Sequence, residues 1–385
     1  MSKADFSSAE FAARLQRVRQ AIAAAELDWM VLFHPVSIHW LTGSDAKSYQ
    51  AFQCLIVSAE DRPGVMLTRE SERYEFEQDA LIDQLETWGG AEPEDPIDVF
   101  ERIAGRLGLK RGRVGMEVPA YYLHPHHYMR VKTFLGAALK AEPSNLVHDL
   151  KMVKSPAELA YVRQSARIAD EALEVFVAHL NEGTAELAIA GEVYAALLKR
   201  GSGLPASTLN LVSGERSCFS HGAPTERRLR QGDFGNVEYG AAFKRYTATI
   251  GRQFCMGMPT PRMNELHAIA LEAADAMIGE IRDGVPALAP HEAAKRVIGR
   301  EGLDRYRIHT SGYGLAPGFP PSWGEPVNMF GGATYTLRAG MVVSVEPPIF
   351  IGEEGLGVRL IDNVLVTATG AELLSRQPRG LIMAG

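Results

Sequence analysis

Cysteine is scarce in this chain: Cys54, Cys218 and Cys255 stand far apart among 385 residues. That scatter excludes a disulfide framework or a zinc knuckle and suits buried free thiols in a reducing compartment. Long apolar runs are also lacking. No stretch approaches the roughly 20 residues that cross a bilayer, and the N-terminal MSKADFSSAEF has no basic-then-apolar leader pattern. These absences predict a cytoplasmic protein that does not span a membrane. Dense Lys/Arg runs are missing as well, and with a net charge of −7 the chain has no electrostatic footprint for nucleic acid or an acidic membrane surface. The expected partner is therefore a small molecule or another protein. Internal repeats, low-complexity tracts and flexible linkers do not stand out either.

What is present is an ordinary globular composition, 46% apolar and 23% charged, long enough for two domains. Phe11, Leu15, Val18 and Ile22 recur at helical spacing before the strand-like Trp29–Phe33. Gln53–Ser58, Gly64–Thr68 and Arg113–Val118 read as further strands, with a helix over Val99–Leu107. The pattern changes at Ser155-Pro156-Ala157-Glu158, where a serine cap, a first-turn proline and a glutamate three residues after the cap predict a helix start. Leu159, Val162, Ala166, Ala169, Leu173, Phe176 and Leu180 continue it along one apolar face. This places a domain boundary at 154/155, giving an α/β domain over 1–154 and a second domain over 155–385, α+β in class. Downstream, helices are expected over Leu187–Lys199, Met263–Ile281 and Glu292–Arg300, and strands over Leu209–Val212, Gly235–Gly240, Tyr246–Phe254, Met341–Ile351 and Val358–Thr367.

His221 sits in a loop about a dozen residues before a turn that feeds a strand, weak evidence by itself. Four segments add context: Tyr246–Phe254, His309–Pro320, Val342–Pro347 and Val358–Val366. In order and spacing they resemble the signature blocks of the creatinase/prolidase superfamily, and so does the junction Leu150-Lys151-Met152-Val153-Lys154-Ser155-Pro156-Ala157-Glu158. The resemblance implies an N-terminal creatinase-type α/β domain followed by a C-terminal pita-bread domain, in which curved antiparallel sheet is backed by helices. It also implies a homodimer.

The metallopeptidases of that superfamily hold two divalent ions with two aspartates, a histidine and two glutamates, ligands that such ions accept. At the matching positions this chain has Glu238, Thr249, Tyr313, Glu346 and Ile361. Isoleucine offers no lone pair, neutral threonine is a poor anchor, and tyrosine would have to ionise from a pKa of about 10. A two-metal bridge is therefore not expected, and no cofactor is called for. A single ion held loosely by Glu238 and Glu346 stays open, as does a one-residue slip that would bring Asp362 in for Ile361.

The superfamily's other site positions are kept, His221 near the reacting bond and His309 as in creatinase, which uses no metal. The resemblance thus points to a metal-free creatinase-like or ectoine-hydrolase-like branch, although Gly251 departs from both and Ile361 from creatinase. Its implied chemistry is hydrolysis of a C–N bond in a small nitrogen compound, with His221 as general acid–base and His309, Glu346 and Glu238 completing the catalytic set. Two bare carboxylates would make the pocket negative and favour a cationic substrate; the alternative is that they pair with Arg359 or Arg252. Tyr313, Thr249, Arg359 and Trp323 are the expected substrate-binding residues, Tyr313 and Thr249 also reading as hydroxyls packed together. Phe319, Trp323 and Phe330, read as part of a loop, cap the pocket or fill the core. His124, His126 and His127 read as a surface or interface cluster. Two other functions remain open: a metal-dependent Xaa-Pro dipeptidase with an altered ion site, and a non-catalytic small-molecule-binding protein.

Overall fold

Short apolar strands alternate with amphipathic helices from the N-terminus, and in the computed structural model, which describes residues 2–142 and 145–385, they build the first of two units, Met1–Lys151 and Met152–Gly385. In the first unit, strands β1 (Trp29–Leu32), β2 (Cys54–Ser58), β3 (Val65–Arg69), β4 (Gln84–Trp88), β5 (Val114–Met116) and β6 (Leu139–Ala141) form a mixed sheet ordered β4-β3-β2-β1-β5-β6. Every residue of β1 is buried because both faces of the sheet are covered. Val31, Ile56 and Leu67 pack with Phe100 and Ile103 from the helix Pro96–Leu107, while Met30, Leu32 and Leu55 pack with Val18 and Ile22 from Ser8–Ala24. His124 caps the helix Pro125–Leu135, its Nδ1 accepting from the His126 backbone N–H at 3.1 Å. The three-histidine run is thus partly helix-start chemistry.

The second unit opens as the serine-proline signal predicts. Ser155 Oγ accepts from Glu158 N at 3.3 Å, and Ser155 N donates to Glu158 Oε2 at 2.7 Å, starting the helix Pro156–Ala178. Its apolar face and that of Glu186–Lys199 bury Leu173, Phe176, Ile189 and Val193 against Val237, Tyr239, Ile250 and Phe254 of the sheet. The helices Pro261–Glu280 and Leu288–Arg300 supply a second cluster around Leu266, Met277, Val343 and Val364. Among the described residues the sheet has nine strands. Seven follow the order β16 (Ala371–Leu373), β15 (Asp362–Val366), β12 (Val342–Val345), β10 (Gly312–Phe319), β9 (Tyr246–Met256), β8 (Phe234–Phe243), β7 (Asn210–Ser213). Strand β11 (Ser322–Met329) pairs with β10, and β17 (Ile382–Ala384) runs parallel to β9. A separate hairpin joins β13 (Ile349–Ile351) to β14 (Leu356–Val358).

Two expected strands are each two in the structure. Met341–Ile351 breaks between Val345 and Ile349, where Pro347 and Pro348 have no N–H to give a ladder. Val358–Thr367 breaks between Val358 and Asp362, leaving Arg359 in the gap. The region read as a loop after His309 is instead the β10/β11 hairpin, turned at the cis Pro320–Pro321 bond. Its glycines and prolines hid it, since both are poor strand formers. Phe319 is core there and 1% exposed, beneath the Arg245 guanidinium. Among the described residues no helix is long and apolar enough to cross a membrane.

Candidate functional site

The antiparallel register places polar side chains on one face of the C-terminal sheet. Asn210 on β7 lies opposite Glu238 on β8, which lies opposite Gly251 on β9, and Gly251 bridges to Ile361. A cavity of about 380 Å³ opens over this row, bordered by Asn210, His221, Glu238, Tyr313, Trp323 and Asn328 among others. The His221 loop reaches it by lying directly on β7. At Gly222 a Cβ would sit 2.1 Å from Val212 Cγ1, so only glycine allows that approach.

Arg359 is the second surprise of the site. Its guanidinium, 1% exposed, forms an ion pair with Glu238 Oε2 and donates to Ser220 Oγ at 3.2 Å, while Asn210 Nδ2 donates to the same Glu238 oxygen at 2.8 Å. Such a charge-assisted pair is buried, and removing one partner of a buried pair typically costs about 3–5 kcal/mol. Of the alternatives left open for Glu238, pairing with Arg359 is the one observed, so Glu238 is not a bare carboxylate.

The His221 and His309 rings meet edge to face, ring centroids 5.1 Å apart. Burial and the Arg359 charge push both below the ordinary imidazole range, so at neutral pH each is uncharged. His309 Nδ1 lies 3.0 Å from the Thr310 carbonyl, which can only accept, so Nδ1 carries the proton and Nε2 keeps its lone pair. Tyr313 accepts from Trp323 Nε1 at 3.1 Å. Burial, then the nearby Glu346 and Glu238, hold its hydroxyl well above the usual phenol range, so it keeps its proton and can donate it. Glu346 is 2% exposed, and its Oε1 lies 3.9 Å from His309 Nδ1 and has no hydrogen-bond partner among the described residues. Burial, with Glu238 close by, raises its carboxyl well above the ordinary range.

Thr249 is not with them. Its Oγ1 accepts from Asn363 Nδ2 at 2.8 Å and its backbone N–H donates to Asn363 Oδ1 at 2.5 Å, so its polar groups are satisfied within the sheet. It is not among the described residues that line the cavity. Ile361 is fully buried and fills the space beside Gly251, where a Cβ would lie 2.7 Å from Ile361 Cγ1. An apolar plug therefore stands at two positions where the superfamily places polar or charged groups. Asp362 does not replace it: its oxygens bind Arg252 Nη2 at 2.8 Å and Arg379 Nε at 2.7 Å.

These residues do not fit a two-ion centre. Among the described residues no three His, Cys, Asp or Glu side chains are grouped to hold a metal ion, and the Arg359 guanidinium already occupies Glu238. Sequence reading missed Asn210, Ser220 and Asn328. The signal for Asn210 was an amide interrupting the apolar run Leu209–Val212, but Ser220 and Asn328 carried none.

The chain matches the profile of metallopeptidase family M24 over residues 160–368 and that of the creatinase/prolidase N-terminal domain over residues 14–153. An uncharacterised peptidase of Bacillus subtilis, YqhT, is 24% identical over 371 residues, covering 96% of this chain and 99% of the relative. A Xaa-Pro dipeptidase of Pyrococcus horikoshii is 29% identical over 238 residues, 62% of this chain and 66% of the relative. Among solved structures, prolidase from Thermococcus sibiricus superposes with a TM-score of 0.87 at 20% identity, covering 98% of this chain and all (100%) of that one. A Xaa-Pro dipeptidase from Bacillus anthracis gives 0.84 at 24%, covering 97% and 99%.

Proposed function

Because this chain belongs to metallopeptidase family M24, with the two-domain pita-bread fold of the creatinase/prolidase superfamily, we propose that it is a hydrolase cleaving a C–N bond of a small nitrogen compound by histidine acid–base chemistry, without a pair of bound ions. The observation that carries this reading is the guanidinium of Arg359 on Glu238 at the place where the superfamily's ions are held. An ion needs that carboxylate free. His221, uncharged and on the cavity wall, takes the proton from an attacking water and returns it to the leaving nitrogen as the tetrahedral intermediate collapses. The Tyr313 hydroxyl, oriented by Trp323, donates to the oxygen that gains charge. His309 packs its ring against that of His221, and Glu346 lies 3.9 Å from His309 Nδ1. The cationic substrate expected from two bare carboxylates loses its basis once Glu238 is paired.

A second reading is a metal-dependent Xaa-Pro dipeptidase with an altered ion site. The names of the relatives favour it over the first, since the Pyrococcus horikoshii and Bacillus anthracis proteins are both Xaa-Pro dipeptidases. It requires an ion on Glu238 and Glu346, and hence a displaced Arg359. The two readings separate in one assay: release of amine or ammonia from amides, cyclic amides, amidines and Xaa-Pro dipeptides, each with chelator or with added manganese or cobalt. Turnover of a non-dipeptide in chelator, abolished by His221→Ala, supports the first reading. Turnover confined to Xaa-Pro dipeptides with added ion defeats it.

A further inference from the structure

Every carboxylate on the cavity wall arrives with its own cation from inside the protein. Glu238 is paired with Arg359. Glu325 is paired with Lys154, Nζ to Oε2 at 2.5 Å, with side chains 0% and 1% exposed, and Lys154 also donates to the Met152 carbonyl at 3.0 Å. No lysine or arginine is among the residues that line the cavity. What remains on the wall is neutral and hydrogen-bonding. Ser207, Asn210, Ser322 and Asn328 offer amide and hydroxyl groups able to donate and accept, beside the Tyr313 hydroxyl and the His221 imidazole. Burial and the neighbouring Arg359 charge also favour the uncharged form of His221.

We infer that the ligand of this cavity presents an uncharged amide-type group, such as a lactam, imide or ureide, rather than an amidinium or guanidinium cation. This names the substrate class of the hydrolase proposed above and rests on that reading. A cation entering the cavity gives up its hydration and meets only ion pairs that are already closed, whose positive member repels it as the negative member attracts. A zwitterionic dipeptide must desolvate a carboxylate with no free cation on the wall to receive it. An uncharged amide carries one strong acceptor and, unless fully substituted, at least one donor, and the wall supplies both complements without unmatched charge.

The test uses one ring in two charge states. 2-Pyrrolidinone is a neutral lactam, and 2-iminopyrrolidine is its amidine, a cation at neutral pH. Binding of each, and of Gly-Pro, to the wild-type protein is followed at pH 7 by protein NMR shifts, and the lactam is expected to bind at least about tenfold more tightly than either competitor. Equal or tighter binding of the amidine or of Gly-Pro overturns the inference. So does failure of the lactam and of hydantoin to saturate the protein up to their solubility. Arg359→Met leaves Glu238 without its counter-ion, and the lactam-to-amidine ratio should then swing toward the amidine by about tenfold or more. If that variant fails to fold, the wild-type ratio decides alone. Ring opening is measured in parallel: lactam preference with no hydrolysis of any lactam, imide or ureide defeats the hydrolase reading and leaves the charge inference standing. Amidine preference with turnover does the reverse.

Discussion

Two arginine–carboxylate pairs lie buried in the same sheet and serve different ends. Arg359 and Glu238 meet beside the cavity, with His221 and Asn210 at hand. Arg252 and Asp362 each follow by one residue the bridged Gly251 and Ile361, and so fall on the opposite face by the two-residue period, where Arg252 also donates to the carbonyls of Gly251, Ile361 and Pro378. The second pair is fastened on all sides and never approaches the cavity wall. Identical chemistry thus makes a structural clamp where every guanidinium donor has a protein acceptor, and an electrostatic feature of the site where the carboxylate belongs to a residue that lines the cavity.

The sharpest way to break that comparison is at the cavity itself. His221→Ala should lower kcat/KM by about 10²–10⁴, the usual contribution of a general base, with an unchanged melting temperature; retained turnover removes the mechanism. Next comes the clamp. Arg252→Met should cost about 3–5 kcal/mol of unfolding free energy by taking the donor from Asp362 Oδ1 and from the carbonyls of Gly251, Ile361 and Pro378, read by chemical denaturation, while kcat per folded molecule stays within a factor of about two because no group at the cavity changes. A matching activity loss would show that the two pairs are not separable. A smaller effect lies in the pH profile. The base must be neutral to accept a proton, and His221 is held below its ordinary value of 6.5, so the acid limb of kcat/KM should have its midpoint below pH 6.5. Arg359→Met removes one of the causes, and the acid limb should move to higher pH; an unmoved limb in a folded variant places the acidic group elsewhere. The smallest change is outside both pairs. Ser155→Ala removes a helix cap and should cost about 1 kcal/mol, with the pH profile unaltered.

Much of the fold was legible because it rests on local signals. The capping box at Ser155 and the seven-residue apolar stripe behind it predict the helix Pro156–Ala178, and the burial of Phe11, Val18 and Ile22 follows their spacing. The β10/β11 hairpin was not legible, because Gly312, Gly314, Gly318 and Pro317 argue locally against a strand that the pairing with β12 and β9 nevertheless imposes. At the site, the sequence pointed to His221, Glu238, Tyr313 and Trp323, which the structure does bring to one cavity. It left open whether Glu238 pairs with Arg359 or Arg252, since 121 residues separate Arg359 from its partner and only tertiary packing chooses. The partner of Thr249 was not legible for the same reason: Asn363 lies 114 residues away. The covering of Gly251 by Ile361 is likewise a product of the bridge between them.

The central claim is that an internal guanidinium stands where the superfamily holds ions, and the most direct measurement is titration of the purified, chelator-treated protein with manganese, followed by electron paramagnetic resonance. The account predicts no stoichiometric site in the wild type at micromolar metal, because Arg359 holds Glu238 and the remaining positions are Thr249, Tyr313, Ile361 and the single carboxyl of Glu346. Saturable binding of one or two manganese ions per chain, lost in Glu238→Gln, would contradict it.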